Sequence, residues 1–142
     1  MKKLAIVVLL VVAACNRRHS VTGVSGAPTP RGAMEMFLAA AQAQDHDAFG
    51  RAWGSSSGPA LGTWSREERE QRGFILMKCL RHDRFQILTE MPSTRGERIL
   101  TVELRFKTLT ASSNFTAVQG PGARWYVSGF EPKDLQEICV SK

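Results

Sequence analysis

The chain has 142 residues, 23% of them charged and 43% hydrophobic, with a formal net charge of +6. That length holds one domain of ordinary size and is too short for two. Basic side chains are interleaved with acidic ones, as in SREEREQR (65–72), rather than gathered into the basic stripe of a nucleic-acid binder, and that class of partner is excluded.

The first twenty residues, MKKLAIVVLLVVAACNRRHS, carry a charged start (Lys2, Lys3) and an unbroken apolar run over residues 4–14. Eleven residues fall well short of the roughly 20 needed to span a bilayer as a helix, and they match the apolar part of a secretory signal peptide. Val12-Ala13-Ala14-Cys15 resembles the lipobox of bacterial lipoproteins. The resemblance implies cleavage before Cys15, acylation of that cysteine, and attachment of the protein to a membrane. An ordinary secretory cleavage ahead of an unmodified cysteine is the competing reading. Several acyl chains, each gaining about 0.8 kcal/mol per buried CH₂, anchor far better than one. Asn16, rather than Asp, after the cysteine implies the outer membrane, with the protein facing the periplasm. Without Lys2 and Lys3 the net charge is +4. Arg17 and Arg18 stand beside the anchor, as headgroup contacts or as a solvated pair.

Residues 15–30, rich in Ser, Thr, Gly and Pro, read as a flexible tether, leaving 31–142 as the domain. Met34, Phe37, Leu38 and Ala41 recur at helical spacing in 31–44. Asp45 suits the N-cap of a second helix over 46–53, burying Ala48, Phe49, Ala52 and Trp53. The stretch GSSSGPALG (54–62) reads as a loop. Ser65 and Glu68 form a capping box that opens a third helix, running to about Leu80 and burying Phe74, Ile75, Met77, Cys79 and Leu80.

From residue 84 the period becomes two. Phe85, Ile87 and Met91 form the inner face of one strand. In 99–107, Leu100, Val102, Leu104 and Phe106 alternate with Thr101, Glu103, Arg105 and Lys107. A third strand is expected over 114–119, a hairpin turn at 120–122, a fourth strand over 124–130, and a closing helix over 133–138 with Pro132 in its first turn. Helices followed by an antiparallel meander argue for an α+β fold, with N-terminal helices packed on a sheet of about four strands.

This order, with FLAAAQAQDHDAFGRAW (37–53) and GARWYVSGFEP (122–132), resembles the NTF2-like (cystatin-like cone) superfamily and its small lipoprotein members. The resemblance implies a curved sheet with helices over one face. It also implies either a solid core or a pocket lined by Met36, Trp53, Trp64, Met77, Phe106, Trp125 and Tyr126. Some relatives dimerise through the open sheet face. Here the row Thr101, Glu103, Arg105 and Lys107 is polar, which implies at most a weak homodimer.

With Cys15 taken by lipid, Cys79 and Cys139 remain in an oxidising compartment, where a pair tends to become a disulfide. Two separate buried thiols are the alternative. A metal site of Cys79, His82 and Cys139 lacks the second close ligand pair that structural zinc uses.

No constellation stands out as catalytic. In Asp45-His46-Asp47, neighbouring helical residues point in different directions, and Asp45 is better used as a cap. The serines at 55–57 sit in a glycine loop, with no strand-to-helix elbow around them. No glycine-rich phosphate loop is present, and no cofactor is expected. His82 is positioned to cap the end of the third helix. The expected role is therefore a non-enzymatic, membrane-anchored module that binds a small apolar ligand or another envelope protein. The alternative is a pocket enzyme resembling ketosteroid isomerase or a dehydratase. In it Asp45 or His46 would be the base and Tyr126 the donor, although the early helices carry no tyrosine.

Overall fold

The computed structural model describes residues 24–142; the leader, Cys15 and most of the expected tether lie outside the described residues. Helix α1 (Pro30–Ala43) starts on the Thr29-Pro30 pair. The Thr29 hydroxyl accepts from the Gly32 N–H at 3.0 Å, and Pro30 sits where a missing N–H costs nothing. Met34, Phe37, Leu38 and Ala41 are buried, and Gln44 ends the helix with a positive φ of 54°. Helix α2 (His46–Ala52) is capped by Asp45, which accepts from the Ala48 N–H at 2.9 Å.

The expected loop at 54–62 is more ordered than its composition indicates. It holds a minute hairpin, β1 (Gly54–Ser55) with β2 (Gly58–Pro59), and one turn of helix, α3 (Ala60–Thr63). A side chain at residue 54 would collide with the Gly58 carbonyl oxygen, so glycine lets the two backbones meet.

Helix α4 (Arg66–Cys79) opens with both halves of the Ser65–Glu68 capping box in place. These hydrogen bonds from Ser65 hold the Glu68 carboxyl below its ordinary pKa. The helix packs through Gly73, Met77 and Cys79, not through the expected Phe74 and Ile75, which are 69% and 65% exposed. Gly73, Met77 and the following Leu80 lie on one stripe, and that stripe turns the intervening apolar pair outward.

Strands β3 (Arg84–Pro92), β4 (Arg98–Phe106), β5 (Leu109–Gln119) and β6 (Trp125–Phe130) form one antiparallel sheet in sequential order. Strand β5 begins five residues before the expected start, because the Lys107–Thr108 turn pairs Phe106 directly with Leu109. Lys107 therefore leaves the polar row; its N–H donates to Asp83 at 2.7 Å. In β3 a bulge at Leu88 shifts the register, so Met91 faces outward beside Ile99 instead of joining the core.

One sheet face (Ile87, Leu100, Val102, Leu104, Phe115, Ala117, Val127) packs on α1, Met77, Leu80, Leu135 and Ile138. The other carries a ladder of hydrogen bonds from Thr89 to Thr101 (2.9 Å) and on to Asn114 (2.8 Å), with Arg105 on Glu103 (2.8 Å). The closing segment is a 3-10 turn (Pro132–Leu135) leading into helix α5 (Gln136–Val140). The sulfurs of Cys79 and Cys139 lie at disulfide-bonding distance and join α4 to α5. Arg81 adds hydrogen bonds to the carbonyls of Ile138 (2.9 Å) and Ser141 (2.6 Å).

The end of the expected tether is bound to the domain. Ala27 is buried and exchanges two backbone hydrogen bonds with Trp125 (2.8 and 3.0 Å), while the Gly26 N–H donates to the Arg51 carbonyl (2.8 Å). The Arg124 guanidinium clamps the carbonyls of Ser25 and Gly26.

Candidate binding cleft beside helix α4

The aromatic residues of the early helices build a continuous chain of rings. Trp64 stands edge-on to Trp53 (centroids 4.3 Å apart), Trp53 leans on Phe49 (5.5 Å), and Phe49 lies against Phe37 (4.5 Å). Phe37 reaches Phe115 (6.4 Å), which stacks on Phe130 (5.0 Å) at the end of β6. The chain thus runs through the core and resurfaces at the sheet edge.

A cleft of about 320 Å³ opens where α4 stands off from β6. Buried Phe37 and Trp53 form its floor, and half-buried Leu76 and Phe130 form its walls. Ile75, Arg72, Ser128 and Gly129 complete its lining. The Arg72 guanidinium lies 5.0 Å from the Trp64 ring centre, a cation–π contact. Among the described residues it joins no direct ion pair, although it lies near enough to Glu68, one turn earlier on α4, to help hold that carboxyl low. Apolar walls with one cation and one hydroxyl at the margin suit a small apolar ligand with an anionic end.

A second, wide groove of about 1200 Å³ separates the start of α2 from α4. Asp45, His46 and Asp47 all line this wide groove, where the first turn of α2 faces α4, but among the described residues they form no metal-holding cluster. Across from them Arg66 pairs with Glu70 (2.7 Å), which holds the Glu70 carboxyl below its ordinary pKa. Arg69 lies 3.9 Å from Asp47, its Nε buried without a partner. Asp45 is committed to its cap. Asp45→Ala is expected to cost about 1 kcal/mol in urea unfolding; unchanged stability would remove the cap from the account.

The seven residues expected to line a pocket do not converge. Trp53 is in the cleft floor, and Trp64 backs Arg72. Met77 is core. Met36 lines a separate apolar groove of about 330 Å³ with Val24, Ala39, Ala43, Ala48 and Arg51. Phe106 is half-buried beneath Arg81 and Lys107. Trp125 meets Ala27 at the sheet edge. Tyr126 is 3% exposed and lies next to Val127, hence on the sheet face opposite the core, against Gly26 and Gly120. It lines neither the cleft nor the groove, so the base and donor of the isomerase-like reading share no cavity there.

His82 is 5% exposed; its Nδ1 lies 2.7 Å from the Leu80 carbonyl, the expected capping contact, and its Nε2 is buried without a partner. Both cysteine sulfurs are used by each other and offer nothing to a metal beside it. Among the described residues no helix is long and apolar enough to cross a membrane. Compared with known proteins, the chain matches no family model, no curated protein and no solved structure.

Proposed function

We propose that the chain is a lipid-anchored binding module of the bacterial cell envelope, acylated at Cys15 and held at the outer membrane facing the periplasm. Its folded part is an NTF2-like domain whose cleft beside α4 takes a small apolar ligand with one anionic end. The observation that carries this reading is the pairing of an aromatic floor, Phe37 and Trp53, with Arg72, which makes no direct ion pair, at the margin. Such a site selects by shape and by one charge-assisted contact. The helix–sheet order and the sequences at 37–53 and 122–132 support the superfamily assignment. The leader pattern supports the anchor.

The test uses the mature chain and the aromatic anion 1-anilinonaphthalene-8-sulfonate as the probe, read by fluorescence with near-UV dichroism as a control for folding. Saturable binding is expected, weakened about tenfold in Arg72→Gln, the loss of one hydrogen bond to a charged group. Equal affinity in the variant would sink the cleft as the site. A denatured mass lacking acyl chains on Cys15 would sink the anchor.

A further inference from the structure

Phe74 and Ile75 are the largest apolar side chains that α4 leaves in water, and they stand side by side on its outer ridge. Such a ridge marks a contact surface. Its occupant follows from where the chain leaves the domain. The body begins at the Ser25–Ala27 segment clamped by Arg124, so only the nine residues 16–24 separate it from Cys15. Nine residues span at most about 30 Å when extended, and about 17 Å as a flexible coil.

Val24 and the ridge flank the same short helix. Val24 shares its groove with Asp45, Ala48 and Arg51 at one side of α2, while Phe74 and Ile75 share theirs with Asp45, His46 and Asp47 at the other. A helix is only about 10 Å across. The chain therefore leaves the domain beside α2, which brings this side nearest to the bilayer. The charges on and beside the ridge are Asp45, Asp47, Glu67, Glu68 and Glu70 against Arg51, Arg66, Arg69, Arg72 and Lys78, five of each sign, so insertion rests on the apolar pair and not on net charge.

Resting on the acylation of Cys15, we propose that helix α4 faces the bilayer and lays the Phe74–Ile75 ridge into the lipid interface, with Lys78 and Arg66 toward the headgroups. An aromatic and a branched aliphatic side chain between long cationic ones is the composition of an interfacial helix face. The lipid anchor then sets more than location: it fixes which side of the domain is turned to the membrane.

The chain without its leader has four isoleucines, Ile75, Ile87, Ile99 and Ile138, which makes a direct test practical. The acylated full-length mature protein is placed in nanodiscs of phosphatidylethanolamine and phosphatidylglycerol containing a headgroup-nitroxide lipid, with isoleucine methyl groups observed by NMR. The Ile75 signal is expected to broaden away while Ile99, on the open sheet face, stays sharp. Phe74→Glu, an exposed change that leaves the core untouched, is expected to restore the Ile75 signal. A sharp Ile75 in a chain whose acylation is verified by mass overturns the orientation and leaves the anchor intact. Equal broadening of Ile75 and Ile99 overturns it too, and broadening only when two copies share a disc assigns the ridge to a dimer. A chain without acyl groups sinks the anchor and this inference together.

Discussion

Replacing Cys79 and Cys139 together by alanine is expected to lower stability by about 4 kcal/mol. The bond closes a 60-residue loop that contains all four strands of the main sheet. In the chain-entropy account, opening a loop of that size frees the unfolded chain by about 4 kcal/mol. The native side loses less. Arg81 still holds the carbonyls of Ile138 and Ser141, and Ile138 and Leu135 stay in the core, so α5 remains docked without its covalent tie. Both cysteines are changed because a single substitution would leave a free thiol in an oxidising setting. Urea unfolding of the mature chain, oxidised, reduced and doubly substituted, measures the difference. Reduced and substituted forms should agree. A loss below about 1 kcal/mol would mean that the unfolded chain is already compact around these two positions.

Phe37→Ala is the second large effect, with an expected cost of about 3–5 kcal/mol. Phe37 is fully buried between Phe49 and Phe115, in the middle of the ring chain, so truncation leaves a void bounded by rigid aromatic neighbours that cannot close over it. It is also the floor of the cleft. The two roles separate by measurement. Unfolding reports the cavity cost, while probe binding at a denaturant-free concentration reports the floor. A variant that loses stability and keeps its affinity unchanged would show that the cleft depends on Trp53 and Phe130 instead.

The parts of the fold that were legible in the sequence are those in which neighbours along the chain are also neighbours in space. Ser65 reaches Glu68 and Asp45 reaches Ala48 within one turn, and Leu100, Val102 and Leu104 alternate on a strand paired on both sides. The outer face of α4 was not legible. Phe74, Ile75, Leu76 and Met77 are consecutive, and at about 100° per residue they sweep most of the helix circumference, so no single packing face can take all four. Which two turn outward is decided by tertiary packing: Met77 enters the core while Phe74 and Ile75 stay exposed. The outward turn of Met91 was equally hidden, since it depends on one extra residue at Leu88. The cleft draws on α1, the end of α2, α4 and β6, and no local pattern joins Phe37, Trp53, Arg72 and Phe130. Of the expected pocket residues, Trp53 and Trp64 belong to its surroundings because their rings are links in the aromatic chain. Tyr126 could not, since strand alternation beside Val127 puts it on the other face.

The strap at the amino end has a mechanical meaning. If the chain is anchored at Cys15 as proposed, any pull between the membrane and the domain enters the fold at Ser25–Ala27 and passes to β6 through the paired amides of Ala27 and Trp125 and the fork of Arg124. Those bonds lie at the margin of the sheet, where they open one after another like a zipper, well before load reaches the ladder between β4 and β5. Tension would first free a few residues of slack and uncover Tyr126, leaving the cleft and the disulfide-tied end of the molecule undisturbed.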